Sequence, residues 1–253
     1  MRLLTEIGLV FTRQTTLSLR SPAWIIIGLV QPVLYLALFG PLLGAVAEVA
    51  SFPAGDSWQV FVPGLLVMQS LFSAAFVGFG VIAEQRNGVL ERMRVTPVSR
   101  LALLLGRVFR DILVLLAQSL VLLAAAFAFG LRAPVPGMLI GLGLIVLLGT
   151  GVSSLSYALA LRLGDENALA PIVNSVTMPV LLLSGVLLPL SFAPAWLSGI
   201  ASVNPFLYVV EATREAFLSD YTAQALMLGT AVAAGFAALG LFAGTRAFQR
   251  QVT

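Results

Sequence analysis

The sequence contains no cysteine, no histidine and no lysine, so all fourteen of its basic residues are arginines. The absence of cysteine and histidine excludes disulfides, Cys/His metal sites and Cys/His nucleophiles. Without lysine, the chain has neither a Schiff-base residue nor the lysine of a phosphate-binding P-loop. We therefore expect no metal, no cofactor and no catalytic residues, and any ATP that drives this protein must be bound by another chain.

Charged residues are also scarce, and apolar residues take their place. Only 10% of the 253 residues are charged and 59% are hydrophobic, whereas soluble domains average about 25% charged residues. A spanning helix needs about 20 mostly apolar residues, because the hydrocarbon core is about 30 Å thick. Six runs qualify, at residues 24–43, 60–83, 111–129, 137–161, 168–188 and 223–245. We predict an all-α, polytopic membrane protein with six transmembrane helices in a single domain over residues 1–253.

The arginines are distributed unevenly over the two sides that six spans would define. Twelve of the fourteen lie before the first run, between the second and third, after the fourth or after the sixth, and only Arg132 and Arg214 lie on the other side. In membrane proteins the cytoplasmic loops carry the excess of basic residues. Both termini are therefore predicted to be cytoplasmic. The same asymmetry accounts for the net charge of +3, so no nucleic-acid partner is expected.

The N-terminal segment, residues 1–22, has the pattern of an amphipathic helix at a membrane surface. Leu3, Ile7 and Val10 recur at helical spacing, and Pro22 ends the pattern. Its role is open between a membrane anchor and a platform for a cytoplasmic partner.

The segment before the last run, residues 189–221, is too short and too charged to span a membrane. Asn204 suits a helix N-cap and Pro205 the first helical position. Glu211, Arg214 and Glu215 are spaced for pairing along one helix. We expect one or two re-entrant or interfacial helices on the outer side, because irregular backbone at membrane depth is tolerated only against protein or a water-filled cavity.

The loop between the second and third runs, residues 84–100, contains a candidate short helix. Asn87-Gly88 is a turn signal, Thr96-Pro97 ends any helix, and Ser99 can cap the next one. Two interpretations remain open: a charged loop that obeys the positive-inside rule, or a compact helix that contacts another subunit.

The spacing of several residues predicts contacts within and between the helices. Arg107 and Asp111, four residues apart, are expected to pair at the foot of the third span. Gly137/Gly141 and Gly240/Gly244 have the spacing of close helix contacts. Polar residues within the second and fifth spans either line a path or bond between helices, and the candidates for a path, with two neighbouring aromatic residues, are Gln69, Phe72, Ser73, Phe76, Asn174 and Thr177.

Two stretches resemble a known family. Residues 84–100, EQRNGVLERMRVTPVSR, are similar to the signature that follows the second span in ABC type-2 exporter permeases. Residues 204–214, NPFLYVVEATR, resemble the Asn-Pro-x-x-Tyr-x-x-Glu-x-x-Arg element before the last span of that family. The likeness is strongest to the bacterial daunorubicin-type drug-resistance permeases, and polysaccharide and lipo-oligosaccharide exporters are related.

This resemblance implies partners and roles. Two copies of the permease, as a homodimer or a pair of similar chains, would form the path, and each would dock a separate ATPase subunit through a coupling helix at residues 87–95. The implied ATPase-coupling residues are Glu84, Arg86, Gly88, Glu91, Arg92, Met93, Asp165 and Glu166. The second and fifth spans would line the path, and the implied outer gate comprises Asn204, Pro205, Tyr208, Glu211 and Arg214.

The expected function is that of a permease subunit in a bacterial inner membrane that exports an amphiphilic drug-like or lipid-like substrate. A polysaccharide or lipo-oligosaccharide exporter is the alternative within the family. A secondary carrier or channel is less favoured, since the predicted spans carry no acid or arginine deep inside. A membrane-embedded lipid enzyme is disfavoured because serines are present without a visible base.

Overall fold

The computed structural model describes residues 2–20, 26, 28–39, 57–89, 92, 98–186, 194–222 and 224–250. These residues form helices and short turns and contain no strand, which confirms the all-α prediction for this part of the chain. The helices are α1 (Arg2–Arg20), α2 (Gly28–Phe39), α3 (Ser57–Ala75), α4 (Gly78–Arg86), α5 (Arg100–Ala128), α6 (Val135–Leu163), α7 (Glu166–Leu182), α8 (Ala195–Ala201), α9 (Pro205–Phe217) and α10 (Gln224–Arg250).

Four segments are long and apolar enough to cross a membrane: α3 with α4, α5, α6 and α10. They confirm the third, fourth and sixth predicted runs as long apolar helices and the second as two consecutive apolar helices. The first and fifth predicted runs correspond to α2 and α7, of which 12 and 17 residues are described. Their remaining residues fall partly within 40–56 and 187–193, outside the described residues, so the total of six spans stays a prediction.

Helix α6 lies at the centre of the bundle, with α10, α3, α9, α5 and α4 packed around it. All four glycines of the predicted small-residue pairs lie at close contacts. A Cβ atom on Gly240 of α10 would lie 2.5 Å from the carbonyl oxygen of Gly151 on α6, and one on Gly137 would overlap the backbone of Ala216 on α9. Larger residues at these positions would push the helices apart.

The second predicted span is two helices rather than one. Helix α3 ends at Ala75, a turn occupies Phe76 and Val77, and α4 begins at Gly78. The Ser156 hydroxyl on α6 fills the gap, because it donates to the Ala75 carbonyl at 2.6 Å and accepts from the Gly78 amide at 3.0 Å. The proline inside α3, Pro63, does not mark the break, which lies where a serine on a neighbouring helix supplies the missing bonds.

Helix α5 begins at Arg100, eleven residues before the predicted start of the third span. The Ser99 side chain caps it by accepting from the Ala102 amide at 3.2 Å, as predicted. A helix of 29 residues is about 43 Å long, which exceeds a hydrocarbon core of about 30 Å. Arg107 and Asp111 lie in about its first three and a half turns, so they can lie near the edge of the core, where charges cost less than at its centre.

Helix α1 confirms the helical pattern of the N-terminal segment. Ile7, Val10 and Gln14 are buried, and α1 packs along α5, where Gly106 admits the Val10 side chain. Leu4 and Leu9 are exposed on the other face. An exposed apolar face suits contact with lipid, and the position of α1 at the membrane surface stays a prediction.

The bundle has two distinct ends. Glu84 binds Arg107, and Asp111 binds Tyr157, so the end of α4, the first turns of α5 and the last turns of α6 lie together. We call this the loop end, because residues 162–167 and the described part of residues 84–100 lie there. At the other end, which we call the opposite end, Trp58 stacks on Phe129 and α9 contacts α3.

Candidate functional site

A cavity of about 800 Å³ opens between α1, α2, α3, α4 and α5. Four of the six predicted path residues line it, namely Gln69, Phe72, Ser73 and Phe76. The volume lies within the range of pockets that hold drug-sized ligands. The candidate site is therefore the space beside the second predicted span, where its helix is interrupted.

One wall of the cavity is aromatic. The rings of Phe72 and Phe76 are nearly parallel, with centroids 6.5 Å apart and an interplanar angle of 8°. Phe79 continues the series at 5.9 Å and 18° from Phe76. The turn at residues 76–77 changes the helical register between these positions. The wall thus presents three near-parallel rings, a surface that suits apolar or aromatic groups.

A second wall is polar. The Ser73 hydroxyl donates to the Gln118 Oε1 atom at 3.0 Å, which joins α3 to α5. Gln69 lies one turn away on α3 and is only 1% exposed, yet neither its Nε2 nor its Oε1 atom has a hydrogen-bond partner among the described residues. Sequence reasoning found Gln69 and Ser73 but missed Gln118, because the bond spans 45 residues of chain.

The predicted path residues of the fifth run lie elsewhere. Thr177 on α7 is buried and Asn174 is exposed, and neither lines this cavity. Among the described residues, α7 therefore reaches this cavity only through Glu166 at its start, and the structure does not bring the predicted path residues of the two helices together.

Charged residues form the floor of the cavity at the loop end. Arg107 is buried and forms an ion pair with Glu84, whose other carboxylate oxygen accepts from Gln14 on α1 at 2.9 Å. The predicted pair of Arg107 with Asp111 is wrong. Asp111 instead pairs with Arg110 at 3.2 Å and accepts from the Tyr157 hydroxyl on α6. A residue on an adjacent helix is a better partner for Arg107 because its carboxylate reaches across the packed interface, which helical spacing alone does not reveal.

Glu84 therefore has an internal role that the sequence did not predict. Both carboxylate oxygens accept hydrogen bonds from this chain, one from Gln14 and one from Arg107. A direct contact of Glu84 with a second protein would compete with both bonds. Its position, three residues before the predicted coupling helix, makes it a link between that helix and α5.

The two predicted coupling loops touch each other. Arg86 binds Asp165 at 3.0 Å and Glu166 at 3.5 Å, and all three side chains are well exposed. Asp165 also caps α7 by accepting from the Asn167 amide at 3.2 Å. Exposed ion pairs contribute little stability. These bonds therefore show that the two loops lie close together, but they add little to the stability of the fold.

The predicted coupling helix is described only in part. Gly88 has a φ of +68°, which fits the turn predicted at Asn87-Gly88, and the Arg92 amide donates to the Gly88 carbonyl at 3.2 Å, a helical hydrogen bond. Glu91 and Met93 lie outside the described residues. Beyond this segment, the Ser99 amide donates to Glu6 on α1 at 2.8 Å.

At the opposite end, Arg214 on α9 is the central residue of the predicted outer gate. It is 8% exposed and donates to the carbonyl oxygens of Val60 at 3.0 Å, Gly185 at 2.7 Å and Val186 at 3.3 Å. Its bonds to backbone correct the predicted pairing with Glu211 or Glu215, since the described ion pairs include neither. Burial lowers the pKa of the Arg214 guanidinium to about 10, so it stays charged at neutral pH.

The other predicted gate residues attach α9 to its neighbours. Asn204 caps α9 through the Phe206 amide at 3.1 Å and donates to the Val180 carbonyl on α7 at 2.8 Å. Pro205 occupies the first turn of α9, as predicted. Tyr208 donates to the Ser202 carbonyl at 2.7 Å, and Glu211 is half-buried. Two helices, α8 and α9, thus occupy the predicted re-entrant segment, and side chains fix α9 at its start and near its end.

One family model and several known proteins are similar to this sequence. A family model described as "ABC-2 type transporter" matches residues 5–218. The protein named "Putative transport permease ycf38" of Pyropia yezoensis is 32% identical over 222 residues, which cover 86% of this chain and 75% of that relative. The "Probable doxorubicin resistance ABC transporter permease protein DrrC" of Mycobacterium tuberculosis is 25% identical over 189 residues, covering 74% and 67%. The "Probable multidrug ABC transporter permease YbhR" of Escherichia coli is 26% identical over 166 residues, covering 64% and 44%.

Proposed function

This multi-pass membrane protein belongs to the ABC-2 type transporter family, and from that premise we propose that it is the permease subunit of an ATP-driven exporter. Separate ATPase subunits hydrolyse ATP and move the permease through residues 84–100. The permease itself has no catalytic role. It sits in a bacterial inner membrane with both termini in the cytoplasm, so the loop end faces the ATPase.

The observation that carries this proposal is the way in which residues 84–100 are held. Gln14 binds Glu84 at the start of the segment, and Glu6 binds the Ser99 amide at its end, so α1 clamps both ends. Arg86 connects the segment to the second predicted coupling loop, because it binds Asp165 and Glu166. A force applied to the segment therefore acts on α1, α4, α5 and α7 together, which is what a contact with a moving ATPase requires.

The cavity supports an amphiphilic substrate of drug-like or lipid-like kind. Its aromatic wall offers apolar contact, and its polar wall offers the Ser73–Gln118 pair and Gln69. A cavity of about 800 Å³ holds a compact molecule in a single chain more readily than a polysaccharide. The names of two relatives mention doxorubicin resistance and multidrug transport, and the proposal extends that kind of substrate to this chain.

A second copy of the chain completes the path. Asn174 is exposed on α7, among the exposed apolar residues Ile172, Val176 and Met178. A carboxamide facing lipid lacks hydrogen-bond partners, so such residues face protein or water in membrane helices. We place the homodimer contact or the shared path on this face of α7. Because the chain has no cysteine, Asn174→Cys should form a cross-linked dimer in membranes, whereas Leu139→Cys, on the exposed face of α6, should not.

Coupling is tested by ATPase stimulation. The chain should co-purify with a soluble ATPase, and Glu91→Ala should reduce the stimulation of ATP hydrolysis at least several-fold. Glu48→Ala is the matched control, because by the predicted topology it removes an acid on the other side of the membrane. Normal stimulation in the Glu91 variant would contradict the proposed coupling segment, and the absence of any associated ATPase would contradict the proposed function.

Orientation is tested by labelling single cysteines from either side. Leu90→Cys should react only with a reagent supplied from the cytoplasm, and Ile200→Cys, on exposed α8, only with one supplied from outside. The reverse pattern would contradict the proposed topology. Uphill accumulation of substrate by vesicles that contain this chain alone, without ATP, would favour a secondary carrier instead.

A further inference from the structure

Gln69 lines the cavity with a buried side-chain amide that has no hydrogen bond among the described residues. Neighbouring polar groups are satisfied: Ser70 donates to the Ile145 carbonyl at 3.1 Å, and Ser73 donates to Gln118 at 3.0 Å. Gln69 is as deeply buried as Ser70, and its Nε2 and Oε1 atoms both lack partners among the residues described. It also lines the cavity. A buried carboxamide without partners destabilises a protein, and an apolar side chain of similar shape would remove that cost.

The charges around the cavity narrow the class of ligand. The charged residues that line it are Glu84, Arg110, Asp111 and Glu166. Each has a partner of opposite charge, since Glu84 pairs with Arg107, Asp111 with Arg110, and Glu166 with Arg86. An anionic or cationic ligand would have to displace one of these pairs. An uncharged ligand leaves all of them intact.

We propose that Gln69 is the specificity-determining residue of this cavity and that it recognises an uncharged, planar aromatic amphiphile through a group that offers a donor and an acceptor side by side. A carboxamide or a neighbouring hydroxyl and carbonyl meets this requirement, because the Gln69 side chain supplies the complementary acceptor and donor. The aromatic body lies against the wall of Phe72, Phe76 and Phe79. The inference rests on the proposed function, since it assigns the substrate class of the same cavity.

The test is a binding measurement on the purified chain in phosphatidylcholine nanodiscs without any ATPase. The probes are 2-anthracenecarboxamide and methyl 2-anthracenecarboxylate, which share the fluorescent ring, whereas the ester lacks the donor. Emission above that in empty nanodiscs reports binding. The wild-type chain should bind the amide about tenfold more tightly than the ester, because a site built for a hydrogen bond rejects the analogue that lacks it.

Gln69→Leu should bind both probes equally, and Gln224→Leu is the matched control. Gln224 is exposed at the start of α10, away from the cavity, so its variant should keep the preference for the amide. A wild-type chain that does not distinguish the probes would overturn the proposal. So would a Gln69→Leu variant that still prefers the amide.

Thermal unfolding of the empty chain separates recognition from a structural role. Gln69→Leu should unfold at the same temperature as wild type or a few degrees higher, since it removes an unsatisfied buried group. A lower unfolding temperature would show that Gln69 serves the packing of α3, and would overturn its assignment as a recognition residue. Because no ATPase is present, a failure of this proposal leaves the Glu91 coupling experiment unaffected, and the two failures are distinguishable.

Discussion

The two ends of the bundle bury an arginine in different ways. At the loop end, Arg107 lies against the carboxylate of Glu84, and the ring of Phe248 lies 6.0 Å from its guanidinium. At the opposite end, Arg214 donates to three backbone carbonyl oxygens and has no ion pair among those described. Arg107 is therefore held by the charge of the Glu84 carboxylate, and Arg214 by the dipoles of backbone carbonyl groups.

This difference determines how each end responds to change. The partners of Arg107 are side chains on separate helices, so each can be replaced, and the loss of one leaves a charge behind. The partners of Arg214 belong to the backbone at residues 60, 185 and 186 and cannot be replaced by substitution. At the loop end, Arg107 is therefore held by side chains that substitution can change. At the opposite end, Arg214 is held by backbone carbonyl groups that substitution cannot remove.

The largest expected effect is that of Arg107→Gln. It leaves the Glu84 carboxylate partly buried without its counter-charge, and breaking such a pair costs about 3 kcal/mol or more. The free energy of unfolding, measured by SDS titration in mixed micelles, should fall by that amount. The double variant Arg107→Gln/Glu84→Gln should recover at least half of the loss, because no charge remains. A double variant no more stable than the single one would contradict the comparison.

A smaller loss is expected for Arg214→Gln. The variant leaves carbonyl oxygens without donors but creates no unpaired buried charge, so the free energy of unfolding should fall by about 2 kcal/mol. Adding Glu211→Gln should not restore it, since Glu211 is not the partner of Arg214. Recovery in that double variant would mean that an ion pair, rather than backbone, holds this arginine.

Close packing at the opposite end is tested by Gly137→Ala. The new methyl group would overlap the Ala216 backbone of α9, and overpacking of this kind costs about 1–3 kcal/mol. Gly143→Ala on the same helix is the control, because its methyl group would meet nothing within 4 Å. The same SDS titration should show a loss for the first variant only. Equal stability of the two variants would show that the close contact of Gly137 with α9 contributes no stability.

The smallest effect is expected for Tyr157→Phe at the loop end. It removes the hydrogen bond to Asp111, which keeps its ion pair with Arg110, so the loss should be about 1 kcal/mol. Combined with Arg107→Gln, the loss should exceed the sum of the single losses if the charged floor acts as one network. Strict additivity would show that the two ion pairs are independent.

The features that sequence predicted correctly are local. Ser99 and Asn204 cap the helices that follow them, because capping depends on residues within one turn. The glycine pairs were also found, since small residues are the direct requirement of close helix contact. The early start of α5 was missed because the arginines after residue 99 lower its hydropathy, although a long helix can carry them at the edge of the membrane.

The features that sequence could not supply depend on contacts between distant segments. Tyr157 reaches Asp111 across 46 residues, and Arg214 reaches Val60 across 154. Helical spacing suggested the nearest acids as partners for Arg107 and Arg214, and in both cases packing brought a different partner closer. The polar residues of α3 were identified as path candidates by spacing, but their division into the satisfied Ser73 and the unsatisfied Gln69 required the structure.

The turn between α3 and α4, which Ser156 bridges, divides the second predicted span into two helical segments. Toward the opposite end, the Val60 carbonyl of α3 accepts a hydrogen bond from Arg214. Toward the loop end, Glu84 of α4 binds Arg107. The backbone ladder is interrupted at residues 76–77, and Ser156 supplies two bonds across the interruption. A tilt of α4 against a fixed α3 would bend the span at residues 76–77 and would move Phe76, which lines the cavity.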